Sequence, residues 1–147
     1  MRHVELIIFV GLQASGKSTY FFTHLAATHV HVSKDLMRNT STRELRQRQM
    51  INDALAAGRS VVVDNTNPTP AVRAPLIAIG RQHGARVIGY FFETPVKDAI
   101  ARNHTREGKA RVPDVAIYVT SKKLVPPSLA EGFDEVRVIP PMPVPTS

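Results

Sequence analysis

The sequence predicts an α/β protein of three layers, a mainly parallel five-stranded sheet with helices on both faces and a helical lid. Three observations predict it. Short apolar runs bounded by turn residues recur along the chain, as buried parallel strands do. Segments of helical period separate them, so the connections are crossovers. A glycine-rich loop joins the first run to the first helical segment, the place where such sheets bind phosphate.

The expected strands are Val4 to Val10, His29 to Val32, Ser60 to Val63, Arg86 to Phe92 and Glu135 to Ile139. The expected helices are Lys17 to Ala27, Thr42 to Ala57, Thr69 to Gln82, Pro95 to Glu107 and Pro113 to Leu124. End signals support them. Gly58 and Gly84 follow the second and third helices, and Thr69-Pro70 supplies an N-cap with proline at the first helical position. Residues 1–140 read as one domain with a lid at about 102–113, and 141–147 as a proline-rich tail.

A chain of 147 residues, 43% hydrophobic and 21% charged, has a globular rather than a disordered or membrane composition. Arg2 ahead of an apolar run imitates a signal peptide, but the run leads into the glycine motif without a small-residue cleavage site. The absence of cysteine excludes disulfides, thiolate metal sites and a thiol nucleophile, and it fits a cytoplasmic enzyme. A net charge of +7 favours phosphate-rich partners, although a solvated basic face gives the same number.

Gly11-Leu12-Gln13-Ala14-Ser15-Gly16-Lys17-Ser18 matches G-x-x-x-x-G-K-[ST], directly after a strand and directly before a helix. Glycines let backbone N–H groups turn inward around a β-phosphate, and the helix aims its positive end there. Lys17 adds charge at the β- and γ-phosphates, and Ser18 offers a hydroxyl to Mg²⁺. The expected ATP-binding set is Gly11, Ala14, Ser15, Gly16, Lys17, Ser18 and Thr19, joined from the lid by Arg102 and Arg106.

Asp64 ends the third strand, where an acid can hold Mg²⁺ or its waters; Asp64 to Asn67 before Pro68 is equally good turn chemistry. Asp35 and Arg38 follow the second strand, three residues apart. On a helix they share a face, with Asp35 placed to accept a hydroxyl proton and Arg38 to grip an acceptor phosphate. A helix-dipole acid beside a surface arginine is the competing reading. Arg102 to Pro113 leaves one helix through Gly108 and enters another, the layout of a lid that delivers an arginine to the transferring phosphoryl group, or of a solvated basic helix end. His29 and His31 alternate on a strand without a metal-ligand pattern and read as packing.

These residues together resemble the 5′-polynucleotide kinases of bacteriophages and the kinase domain of the animal kinase-phosphatase, over almost the whole chain. The shared features are the Gly11 to Ser18 loop, Asp35-x-x-Arg38, Asp64-Asn65-Thr66-Asn67-Pro68, Arg102-Asn103-x-x-Arg106, Val112-Pro113 and Leu129-Ala130-Glu131-Gly132-Phe133. The resemblance implies an adenylate-kinase-like topology. It implies that Lys17 and Ser18 bind ATP and Mg²⁺, that Asp35 is the general base, that Arg38 contacts the acceptor with Asn65, Thr66 and Asn67 beside it, and that Arg106 acts from the lid. Lys34 departs from the arginine common there, and the family usually joins a phosphatase domain, for which 147 residues leave no room.

The expected activity is transfer of the γ-phosphate of ATP to the 5′-hydroxyl of a nucleic acid, with a phosphatase or ligase as a separate partner and no membrane association. A small-molecule kinase and an ATP-binding switch without transfer activity are the alternatives.

Overall fold

The computed structural model describes residues 4–37 and 40–141. Its strands are β1 (Glu5–Gly11), β2 (Val30–Val32), β3 (Val61–Val63), β4 (Arg86–Phe92) and β5 (Glu135–Ile139), and its helices α1 (Lys17–His24), α2 (Arg43–Ala56), α3 (Pro70–Gln82), α4 (Val96–His104) and α5 (Asp114–Lys123). The expected fold is borne out: the five strands lie in the order β2-β3-β1-β4-β5 and every pairing is parallel. The expected tail falls outside the described residues apart from Pro141. Among the described residues no helix is long and apolar enough to cross a membrane.

Strand alternation builds two cores from one sheet. Leu6, Ile8 and Val10 of β1 pack with Val61 and Val63, with Ile51 and Leu55 of α2, and with Leu76 and Ile77 of α3. Ile7 and Phe9 face the other way, onto Phe21 of α1 together with Val62, Ile88, Tyr90 and Phe92. β1 is apolar on both faces because helices cover both faces, which is why it reads as a continuous run rather than an alternating one. A third, smaller cluster joins Leu12 of the glycine loop to Ala99 of α4 and Ile117 of α5.

After β1 the chain moves two places to the edge strand β2, returns to β3, and then crosses to β4 on the far side of β1. Strand order therefore reverses around β1. The loop after β1 thus sits at the switch point, where the ends of the strands open a crevice.

Candidate active site

β1 ends at Gly11 and α1 begins at Lys17, so the glycine motif spans the turn between them. Ala14 (φ 59°) and Gly16 (φ 92°) are left-handed, which turns successive backbone N–H groups of the loop toward one side as an anion-binding nest. Helix α1 has no side-chain N-cap and no acidic residue in its first turn. Its first N–H groups and its positive dipole end therefore call for an external anion.

Lys17 is buried, and its ammonium donates to the carbonyls of Gly11 (3.1 Å) and Leu12 (2.5 Å) and to Ser15 Oγ (3.4 Å). Burial lowers its pKa from 10.5 to about 8, opposed by the charge of Asp64, assisted by Arg106 and opposed again by Asp35. The Arg106 pKa is lowered as well, first by desolvation and then by Arg102, with Asp35 and Asp64 pulling the other way. Lys17 and Arg106 thus each lie within electrostatic reach of both Asp35 and Asp64 at one rim of the sheet, with Arg102 in reach of Arg106. The cations there can face a polyphosphate.

Ser18 Oγ donates to Asp64 Oδ2 at 2.7 Å, and Asp64 is 4% exposed. Among the described residues no group of three or more His, Cys, Asp or Glu side chains can hold a metal ion. Ser18 and Asp64 fit Mg²⁺ in the manner of a phosphate-bound ion, which keeps several waters and takes few protein oxygens.

Several expected contacts turn out to be structural. The Gly11 N–H donates to the Thr66 carbonyl at 3.1 Å and so does not face a phosphate; glycine is needed because a Cβ would lie 2.9 Å from Phe92 Cβ. Asn65, expected at the acceptor, accepts from the Lys34 N–H (2.9 Å) and donates to Gln47 Oε1 (2.6 Å), tying the segment after β2 to α2. Asn67, expected beside it, is 2% exposed, left-handed (φ 41°), and donates to the Phe9 carbonyl at 2.7 Å. The Thr66 carbonyl accepts from the Gly11 N–H.

Asp35 is exposed on a single 3-10 turn, Lys34–Leu36, whose N-cap Ser33 accepts from the Asp35 N–H at 3.2 Å. Met37 is already extended, so the helical face expected to align Asp35 with Arg38 does not form. Arg38 itself lies outside the described residues. Thr19 is exposed in the first turn of α1.

Asn103, buried between Arg102 and Arg106, closes the segment that joins α4 to α5. Its amide donates to the Val112 carbonyl (2.6 Å) and to Asp114 Oδ1 (3.2 Å), and its oxygen accepts from the Val112 N–H (3.0 Å). Arg106 is half-buried and donates to the Ala110 carbonyl at 3.1 Å. Asn103 thus shapes the loop that carries Arg106.

Three features of the site escape a reading of the chain. His31 donates from Nε2 to Asp64 Oδ2 at 2.8 Å, which corrects its reading as packing alone. Register explains the contact: His31 pairs with Val62, and Asp64 lies two residues further along β3, on the same face. Gln13 reaches from the glycine loop to Thr120 Oγ1 of α5 at 3.0 Å. Arg73, fully buried on α3, makes a two-pronged contact with Glu131 at 2.8 and 2.9 Å and donates to the carbonyls of Asn67 (2.9 Å) and Val125 (3.0 Å). A lone arginine inside a helical segment gave no signal beyond its apolar neighbours.

A parallel sheet with a phosphate nest at its switch point, and a lysine at the start of the following helix, defines a P-loop nucleotide-binding fold. Residues 6–125 match the family model described as an AAA domain, and the chain belongs to that family. A putative bifunctional polynucleotide phosphatase/kinase of Acanthamoeba polyphaga mimivirus is 28% identical over 145 residues, which cover 94% of this chain and 34% of the relative. This chain therefore spans about a third of that relative's length. The resemblance to polynucleotide kinases read from the motifs is borne out. Among solved structures, a fungal RNA kinase matches at a TM-score of 0.72 and 15% identity, over 94% of this chain and 38% of its own. A gluconokinase from Sinorhizobium meliloti 1021 matches at a TM-score of 0.68 and 18% identity, over 98% of this chain and 87% of its own. These two likenesses speak to the fold alone.

Proposed function

We propose that the protein transfers the γ-phosphate of ATP to the 5′-hydroxyl of a polynucleotide. The observation that carries this reading is that Asp35, from the segment after β2, and Asp64 both act electrostatically on Lys17 of the phosphate loop and on Arg106. The similarity to a polynucleotide phosphatase/kinase over 94% of the chain supports a polynucleotide as the acceptor.

In this reading the nest formed by Ala14, Ser15 and Gly16, with the first turn of α1, holds the β-phosphate, and Lys17 leaves the Gly11 and Leu12 carbonyls for the phosphate oxygens. Ser18 and Asp64 would hold Mg²⁺, which would supply neutralisation of the triphosphate charge. Asp35 accepts the proton of the attacking 5′-hydroxyl. Arg106 and Lys17 face the charge that spreads over the moving phosphoryl group, and these positioned charges are the protein's main contribution to such a reaction. The segment 102–113 acts as the lid, its shape set by Asn103.

The test is incubation with ATP, Mg²⁺ and 5′-hydroxyl oligonucleotides of DNA and RNA, single- and double-stranded, beside gluconate and other small alcohols. Label at the 5′ end of a strand is the expected outcome. Label on a small alcohol and on no strand refutes the polynucleotide reading and leaves the kinase one. Binding of a single strand should also weaken with salt, with a log–log slope of about −0.7 per phosphate contact.

A further inference from the structure

We propose that His31 is a positioning residue that fixes the Asp64 carboxylate at the Ser18–Asp64 metal position; the proposal rests on the nucleotide-site reading above. Asp64 is nearly enclosed, and its Oδ2 receives two donors from different elements, Ser18 Oγ of α1 at 2.7 Å and His31 Nε2 of β2 at 2.8 Å. A carboxylate only accepts, so the His31 tautomer that meets it carries its proton on Nε2. One donor leaves a carboxylate free to rotate about that bond; two donors from separate elements fix its plane.

The ring of His31 is itself held. It stacks on buried Phe21 with centroids 4.2 Å apart and 20° between planes, and Phe22 meets it edge-on at 5.3 Å and 69°. An apolar side chain would satisfy those rings as well as imidazole does. What the imidazole adds is a donor aimed at Asp64 from the edge strand, independent of Ser18. When Ser18 Oγ turns a lone pair to the metal, His31 keeps the carboxylate oriented from the other side. Outer partners of this kind typically change metal affinity or activity 10–100-fold when removed.

The experiment uses the whole chain and no acceptor. Binding of a non-hydrolysable ATP analogue is measured by calorimetry without Mg²⁺ and across a Mg²⁺ titration, for wild type, His31→Phe and His31→Gln. His31→Phe keeps the ring on Phe21 and removes the donor; His31→Gln restores an N–H without the stack. The expected result for His31→Phe is metal-free binding like wild type and a half-saturating Mg²⁺ concentration raised about 10–100-fold, with partial recovery in His31→Gln.

An unchanged Mg²⁺ requirement in His31→Phe overturns the proposal, as does equal loss with and without the metal, which marks a merely structural residue. A raised Mg²⁺ requirement in His31→Phe that His31→Gln does not relieve at all does the same. A wild-type protein that gains no nucleotide affinity from Mg²⁺ overturns the metal position and His31's role together. Failure to phosphorylate any oligonucleotide leaves all these readings intact, so the two ideas fail separately.

Discussion

Lys17 gives the nucleotide site a pH signature with two opposite signs. Its ammonium is enclosed with only carbonyl and hydroxyl partners, and burial brings its pKa from 10.5 to about 8. At about 1.4 kcal/mol per pH unit, that depression is a cost of about 3 kcal/mol for keeping the charge in the nucleotide-free protein. The folded pKa lies below the unfolded one, so folding is penalised below pH 8 and the penalty is relieved as pH rises from about 8 toward 10.5. Triphosphate binding works in the other direction. Phosphate oxygens beside the ammonium raise its pKa again, so affinity is greatest below about pH 8 and falls as pH rises through it. If the phosphates restore the ordinary value, affinity drops about 40-fold between pH 8 and pH 10.

Calorimetry at pH 8.5 in buffers of different ionisation enthalpy measures the linked proton directly. Binding should take up most of one proton, and Lys17→Met should abolish the uptake, weaken binding and flatten the profile. Chemical denaturation of the nucleotide-free protein over the same range should show stability rising for wild type relative to Lys17→Met. Affinity that stays level to pH 10, or a proton released on binding, would refute the reasoning.

Other substitutions separate chemistry from scaffold. Asp35→Asn should lower transfer about 10²–10⁴-fold with ATP affinity kept, since a base acts only in the transition state; single-turnover rates and calorimetry check it. Arg106→Ala should lower kcat about 10³–10⁵-fold if the lid arginine serves the moving phosphoryl group, and a comparable loss in ATP affinity with kcat kept would assign it to ground-state binding instead. Glu131→Ala leaves Arg73 charged and enclosed without its carboxylate, at a cost of about 3–5 kcal/mol, which at about 2–4 °C per kcal/mol lowers Tm by about 6–20 °C; a shift under about 2 °C would refute the clamp.

The fold was legible because each element carried its own signal. β1 is an unbroken apolar run, α3 opens on Thr69-Pro70, where Thr69 Oγ1 accepts from the Val72 N–H at 3.3 Å, and Gly58 and Gly84 are left-handed at the ends of α2 and α3. The phosphate loop was legible because its chemistry is local. What was hidden depends on pairs far apart in sequence. The contact between His31 and Asp64 requires knowing that β2 lies beside β3 in one register, and the pairing of Arg73 with Glu131 spans 58 residues. The roles of Asn65 and Asn67 in the scaffold were hidden for a related reason: both ends of the Asn65 amide and the N–H of the Asn67 amide meet groups remote in sequence.

That tracing also ties the segment after β3 to the one before β5. Gly11 donates to the Thr66 carbonyl, Asn67 next to it donates to Phe9, and Arg73 holds the Asn67 carbonyl while gripping Glu131 of the Leu129–Glu131 turn. Glu131 in turn accepts from the Ser128 N–H at 2.9 Å, and Gly132, left-handed at φ 112°, leads the chain on toward β5. These bonds link the phosphate loop, through the segment after Asp64 and Arg73 of α3, to the turn before β5. They fix the distance between Lys17's loop and Asp64 before any ligand arrives, the preorganisation that a reaction dependent on positioned charge requires. Arg106 stands on a different footing. Its loop hangs from Asn103 and from α4 and α5, whose packing is the small cluster of Leu12, Ala99 and Ile117, tied to the phosphate loop through Gln13 and Thr120. If the segment 102–113 is the lid proposed above, closure on a nucleotide falls to the α4–α5 pair. Hydrogen exchange should therefore find the Gly11 and Asp64 N–H groups, bonded to the Thr66 and Val32 carbonyls, protected and 105–111 exchanging first, with ATP slowing the second group and leaving the first unchanged.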